Sequence, residues 1–405
     1  MSRPADIAIV GGGPVGLCAA LVLQHSGRRV EVIEATKSGT PEPGGLNARS
    51  IALSHTSVQI FRALGIWPEL ERRAAPIHSI HISSRGRWGV TRLHAQEYDL
   101  AALGYVIESS ALNECLLEAV SASKAIKLRD EAEFESITEN GQVEIGYRRK
   151  QRRQRIEARI ALIADGARSK TRDTLGIEHR VVDYGQSVVI CNVQMSSPRA
   201  NWAYERFTPK GPLAMLPLGE KRYACVWTLD PDLAAEIGSS DDAAFMQALQ
   251  DCFGMRLGYI EKIGQRFSFP IQRVEADRLC QGRSLLIGNA ANALHPVAGQ
   301  SFNLSLRDIA SLHELLDEGP LDALDDDNVA TMMEAYAAAR KREQRRVIGY
   351  GDGLVSVFSN QLPLLDHLRA AGLSALDLIP PLKTEAAFAG MGLTFGGNRL
   401  LRGHL

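Results

Sequence analysis

The run Gly11-Gly12-Gly13-Pro14-Val15-Gly16 constrains the fold more than any other stretch, because of what flanks it. Before it lies a short apolar strand, Asp6 to Val10. After it come an apolar helix, Leu17 to His25, and a second strand, Arg29 to Ile33, that closes on Glu34. Strand, glycine turn, helix and strand make the opening βαβ unit of a nucleotide-binding sheet. Gly11, Gly13 and Gly16 stand at G-x-G-x-x-G spacing. The first permits the tight turn, the second lets a pyrophosphate approach the backbone at the helix N-terminus, and the third lets helix and strand close on each other. Glu34 follows Gly11 by 23 residues, where a carboxylate accepts hydrogen bonds from ribose hydroxyls and repels a 2'-phosphate. FAD or NAD is expected at this site, rather than NADP.

A chain of 405 residues is long enough for about two domains and a sizeable core. Its 46 basic and 47 acidic residues nearly cancel, leaving no overall field to steer nucleic acid, so no nucleic-acid partner is expected. Cys18, Cys115, Cys191, Cys225, Cys252 and Cys280 are widely spaced, without a C-x-x-C pair. That spacing fits neither a zinc site nor a disulfide framework, and free thiols in a reducing cytoplasm are the simplest account. The first residues lack the pattern of a signal peptide, and no apolar run reaches the length of a membrane span. A cytoplasmic location is expected, with any membrane contact peripheral to the inner face.

The fold class expected is α/β, α+β overall: a Rossmann-like domain carrying an inserted, mostly antiparallel sheet. Residues 1–75, 101–180 and 271–345 are assigned to the dinucleotide domain. Residues 76–100 and 181–270, with strand-like runs such as VVICNVQM and GPLAMLPL, form the inserted substrate domain. Residues 346–405 are expected to be a helical C-terminal segment. Helices are also expected over Ala48–Leu64, Ser110–Ser121 and Leu304–Leu316. RRKQRRQR, Arg148 to Arg155, reads as a solvated hairpin tip in preference to a docking or acidic-lipid patch. The C-terminal stretch reads as packing or an oligomer contact, with peripheral membrane contact as the functional alternative.

Two later segments decide for flavin. ALIADGARSKTR, Ala161 to Arg172, is a strand breaking into Asp165-Gly166; GNAANALHPVAGQSFN, Gly288 to Asn303, follows a strand and is poor in ionisable groups. With the glycine turn these resemble, in order, the three fingerprints of the group A FAD-dependent aromatic hydroxylases, the p-hydroxybenzoate hydroxylase-like family. NARSIALSHTSVQIFRALGIWPEL, YGQSVVICNV and AYERFTPKGPLAMLPL resemble its ubiquinone-biosynthesis branch, and 2-polyprenyl-6-methoxyphenol hydroxylases most of all. The likeness spans nearly the whole chain.

The resemblance implies an NAD(P)H- and FAD-dependent monooxygenase. In that family reduced flavin and O2 give a C4a-hydroperoxide that transfers OH to an activated phenol, here a polyprenyl phenol. The cofactor brings the reactivity, and the protein positions the ring and excludes water. No second glycine-rich βαβ unit follows, so NADH or NADPH would visit a shared groove and leave. The resemblance places Arg49 against the pyrophosphate and Ser109 near the flavin. Asp165 falls in the flavin groove, and Asn289, an amide where many relatives carry Asp, by the ribityl chain. Pro296, Val297, Gly299 and Gln300 would line the ring, with Asn303 on its pyrimidine side. Ser301 and Ser305 replace glycines usual in the family, and a Cβ at 301 would strain a left-handed backbone or crowd the ring. His295, the one titratable side chain in that loop's core, would relay a phenolic proton or orient the loop. Tyr204, Leu213, Met215 and Pro296 are expected to wall the substrate pocket. Two other readings stand beside this one: a non-catalytic, weakly FAD-binding paralogue within a ubiquinone-biosynthesis complex, and a hydroxylase of another small aromatic. A homo-oligomer is compatible with each.

Overall fold

Strand β1 (Ala5–Val10) is the axis of the first sheet in the computed structural model, which describes residues 4–25, 27–40, 43–294, 300–317, 326–359, 372, 375, 377–393 and 398–404. It pairs in parallel with β2 (Val30–Ile33) and β11 (Arg152–Ile163), and the parallel set extends to β8 (Ile126–Arg129) and β19 (Ser284–Leu286). Parallel strands are covered on both faces, which is why Ile7–Val10 and Ile160–Ile163 are buried without alternation. The antiparallel β9 (Ala132–Asn140), β10 (Gln142–Arg149) and β18 (Cys280–Gln281) complete this sheet. Helix α1 (Pro14–Gln24) packs against α4 (Ser109–Ala122) and α8 (Gln300–Asp317), with every residue from Gly16 to Leu23 buried.

A small antiparallel sheet, β3 (Ser50–Ser54), β7 (Gly104–Glu108) and β4 (Ala74–Ile77), lies beside helices α2 (His55–Ala63) and α3 (Trp67–Arg73). The helix expected over Ala48–Leu64 is therefore half strand. Ser50 to Ser54 pairs with β7, and Ser54 then caps α2 by accepting the Ser57 N–H at 3.3 Å, so the helix begins only where a cap exists.

The second large sheet runs β20 (Asn292–Ala293), β17 (Phe267–Ala276), β12 (His179–Met195), β15 (Arg222–Leu229), β14 (Gly211–Pro217), β13 (Trp202–Thr208), β5 (Ser79–Ser84), β6 (Val90–His94), with β16 (Ile260–Ile263) also on β12. All its pairings are antiparallel except β13 with β5. Between β15 and β16 the chain forms α6 (Pro231–Ser239) and α7 (Asp242–Phe253), which the strand-like reading of 181–270 did not include. Their signals are plain in retrospect. Asp230 and Asp241 cap the two N-termini, and Phe245, Leu249, Cys252 and Phe253 recur at helical spacing and are buried.

The short α5 (Lys170–Thr174) joins β11 to β12, and α9 (Asp326–Ser359) and α10 (Pro380–Met391) follow α8. Helix α9 runs unbroken through the boundary drawn at 345, since neither glycine nor proline interrupts it before Gly349. The basic hairpin at the β10–β11 turn is laced with acids: Arg148 pairs with Glu133, Arg149 with Asp130, Arg153 with Glu135 and Arg155 with Glu144. Cross-strand partners spend its charge locally, as a solvated tip requires. All six cysteines are buried, free thiols, and no helix among the described residues is long and apolar enough to cross a membrane.

Candidate functional site

The glycine turn is shaped by close approach on three sides. Gly11 has φ +106°, and a Cβ there would stand 2.5 Å from the Ala164 carbonyl oxygen at the end of β11. A Cβ on Gly16 would interpenetrate the Gly11 carbonyl oxygen. Gly12, not singled out by the motif, is equally constrained: its Cβ would lie 2.7 Å from that of Glu34. Gly13 differs, with extended backbone and no atom within 4 Å of its missing side chain. Three glycines thus serve packing, and the fourth opens space at the N-terminus of α1, whose first turn carries no acid to compete with a phosphate. Glu34 accepts from the Gly12 N–H at 2.7 Å and from the Thr36 N–H and hydroxyl at 2.8 and 2.6 Å, which fixes its carboxylate beside the turn.

The other motifs converge on this corner. Asp165 follows β11 directly behind Gly11; its Oδ2 accepts the Thr171 N–H at 3.2 Å. Arg49 and Ser109 meet through the backbone, the Ser109 N–H donating to the Arg49 carbonyl at 2.7 Å. Gly288, at φ +63°, packs on Val15 of α1 and so carries exposed Asn289 toward the same helix end. The Ser301 hydroxyl donates to Asn289 Oδ1 at 3.1 Å. Ser301 lies in the first turn of α8 and is not among the residues with positive φ, so the left-handed strain feared for a side chain there is absent. The Ser305 hydroxyl donates to the Ser301 carbonyl at 2.8 Å, a bond within the helix. Gln300 is buried at the start of α8. Asn303 is held away from open space: its Oδ1 accepts from Ser54 N–H and Ser57 Oγ at 2.9 and 2.7 Å, and its Nδ2 donates to Ala52. Its side chain clamps α8 to the β3–α2 junction. His295, Pro296, Val297 and Gly299 lie outside the described residues.

These groups fit a flavin dinucleotide. Asp165 Oδ1 is a buried atom with no hydrogen-bond partner, a state that costs about 1–3 kcal/mol unless a donor arrives. FAD would bring hydroxyl donors, phosphates suited to the Gly13 opening, and ribose hydroxyls suited to Glu34.

Three residues expected to wall a substrate pocket lie in a packed core. Tyr204, Leu213 and Met215 are 4%, 0% and 1% exposed and belong to the core between the second sheet and α6–α7. Strand alternation is the reason: neighbouring side chains point to opposite faces, and the unforeseen helices cover the face these three occupy. The opposite face carries Ala203, Ala224 and Leu216, packed with Ile77 and Val106 of the small sheet. It is also tied to the nucleotide corner. Asn192 Nδ2 donates to the Gly45 and Ala48 carbonyls at 3.1 and 2.7 Å, and Arg222 pairs at 2.8 Å with Glu108, the residue before Ser109. Glu205 shares this face by alternation. Burial pushes its carboxyl up to about 7.

A supporting network escaped the sequence reading. Asn292 donates to Gln344 at 2.7 Å; Gln344 donates to Asp308 at 3.0 Å; Asp308 pairs with Arg340 at 2.6 Å. All four side chains are buried. The chain of bonds anchors the segment after Asn289 to α8 and α9, and nothing in local spacing announces contacts across 32 to 52 residues.

Residues 4–349 match the FAD binding domain family. The chain is 31% identical to the ubiquinone hydroxylase UbiL of Rhodospirillum rubrum, over 99% of this chain and 93% of that protein. It is 30% identical to the 3-demethoxyubiquinol 3-hydroxylase of Escherichia coli, over 97% and 100%. Among solved structures, p-nitrophenol 4-monooxygenase from Pseudomonas putida superposes with a TM-score of 0.80 at 17% identity, covering 96% of this chain and 99% of that one, and so shares its fold.

Proposed function

Because this chain belongs to the family of FAD-dependent aromatic monooxygenases, we propose that it hydroxylates the ring of a polyprenyl phenol in ubiquinone biosynthesis, of the 2-polyprenyl-6-methoxyphenol type. The observation that carries this reading is the end-to-end match, above 30% identity, to a ubiquinone hydroxylase. The balanced reaction takes a ring C–H, O2, NAD(P)H and a proton to a ring C–OH, water and NAD(P)+. Bound FAD supplies the redox and oxygen chemistry.

This chain's own residues would bind and orient. Gly13 and the first amides of α1 would receive the pyrophosphate, Glu34 the adenosine ribose, and Arg49 a phosphate oxygen. Asp165 Oδ1 would take a hydroxyl proton donor, and Asn289, steadied by Ser301, would offer its amide to the ribityl chain. The apolar face around Ala203 and Leu216 excludes water on the ring side. His295 is proposed as the proton relay, with Pro296 and Gly299 beside the ring.

The test uses the purified holoprotein with 2-polyprenyl-6-methoxyphenol or a demethoxyubiquinol, the substrate class named for the Escherichia coli relative. Expected is NAD(P)H oxidation stimulated by the phenol and a product heavier by one oxygen atom drawn from O2. Oxidation uncoupled from any hydroxylated product with both substrates refutes the proposal; turnover of the quinol alone reassigns the ring position.

A further inference from the structure

The second sheet carries a group of arginines that the proposed chemistry does not use. Arg206 on β13, Arg92 on β6, Arg85 in the β5–β6 turn and Arg256 after α7 gather at one rim of α6–α7. Arg92 stands opposite His81 in the β5–β6 pairing, Arg206 opposite Ser83 in the β13–β5 pairing, and a Cβ on Gly254, two residues before Arg256, would lie 4.0 Å from an Arg206 guanidinium nitrogen. None of the four guanidinium groups has an ion pair among the described residues. Arg206 Nε donates to the Cys252 carbonyl at 3.1 Å, and Arg85 reaches only the Cys252 sulfur. Asp377, at this edge, accepts the backbone N–H of Arg92 and stands 4.0 Å from Lys383. Beneath them His81 is buried, with Nδ1 unpartnered. Clustered like charges repel, so a rim of this kind is stabilised by an external anion.

What surrounds the rim indicates the kind of anion. Trp88, in the same turn as Arg85, is 71% exposed; Met255, next to Arg256, is 52% exposed; and Leu378, next to Asp377, is 78% exposed. Exposed Trp and long apolar side chains set among arginines suit the boundary between lipid headgroups and acyl chains. The hairpin tip of the first sheet, by contrast, pairs four of its five arginines with carboxylates, and residues 148–155 include no large apolar side chain. We propose that the surface formed by Arg85, Arg92, Arg206 and Arg256 with Trp88 and Met255 docks the protein on an anionic phospholipid bilayer.

The test is cosedimentation of the FAD-loaded full chain with phosphatidylcholine vesicles, with and without phosphatidylglycerol, in the absence of any phenol. A failure here is thus distinct from a failure of the proposed activity. Binding is expected only with phosphatidylglycerol. Each arginine near an anionic surface strengthens partitioning about fivefold, so Arg85→Gln with Arg256→Gln should weaken it about 25-fold. Lys150→Gln with Arg152→Gln, an equal change of charge at the hairpin tip, should leave it unchanged. Tryptophan emission should shift to the blue on binding, and Trp88→Phe should abolish the shift. Equal losses in the two double variants, no loss in either, or no binding to phosphatidylglycerol vesicles overturns the proposal. Release by inorganic phosphate at matched ionic strength also overturns it, assigning the rim to a free phosphate.

Discussion

Gly13→Ala and Gly16→Ala separate ligand binding from packing within one turn. At residue 13 the backbone is extended, at φ −69° and ψ 179°, and no atom stands within 4 Å of a new Cβ. An alanine is therefore accommodated. It is a poorer helix N-cap than glycine but restricts the unfolded chain, two terms of about 0.5–1 kcal/mol and opposite sign. Thermal stability of the apoprotein should stay within about 3 °C of wild type. The same methyl group fills the opening through which a pyrophosphate reaches the α1 amides. Losing one charge-assisted hydrogen bond costs about 1.5–3 kcal/mol, so the FAD dissociation constant should rise about 10- to 150-fold. At residue 16 the order reverses. The new Cβ would fall well inside 3.0 Å of the Gly11 carbonyl oxygen, a backbone atom that cannot swing aside. Overpacking of this kind costs about 1–3 kcal/mol or more, and the apoprotein should melt several degrees lower. Flavin fluorescence titration and apoprotein melting measure the two quantities. Unchanged FAD affinity in Gly13→Ala would refute the assignment of this opening to the pyrophosphate.

Three further outcomes are expected. Asp165→Ala removes the unpartnered Oδ1 and should weaken FAD about tenfold or more, with the far-ultraviolet circular dichroism intact; equal affinity would show that no ligand donor uses that oxygen. Arg340→Met leaves buried Asp308 without its 2.6 Å partner and should destabilise the protein by about 3–5 kcal/mol, read by urea unfolding. Glu205 is the pH case. Its carboxyl is raised from 4.5 to about 7 in the fold, so its contribution to stability is complete below pH 4.5 and is lost as pH rises through 7. Glu205→Gln should match wild type near pH 4 and exceed it near pH 8 by up to about 3 kcal/mol; a difference that does not grow with pH would contradict the burial argument.

Much of the corner around the glycine turn was legible as local structure because its signals are local. Gly11, Gly13 and Gly16 declare themselves by spacing, Glu34 by ending the second strand, and Asp165 and Asn289 by following apolar strands of the same sheet. Such positions depend on backbone conformation and strand order, which short sequence patterns encode. Ser301 shows the limit of that reading: the sequence flags a missing glycine, and only the helical backbone at 301 shows that no left-handed residue is needed there.

The sequence by itself determined the βαβ opening, the flavin fingerprints and a strand-rich insertion. It did not determine which face of the second sheet meets the cofactor corner. Tyr204 and Glu205 are neighbours in one strand, and alternation sends them to opposite sides; which side is core was decided by where α6 and α7 pack. The bonds joining Asn292, Gln344, Asp308 and Arg340, and the convergence of Arg85, Arg92, Arg206 and Arg256, likewise arise only when distant segments meet. Periodicity records what each residue needs from its own turn or strand, whereas the partner that satisfies it is chosen by tertiary packing.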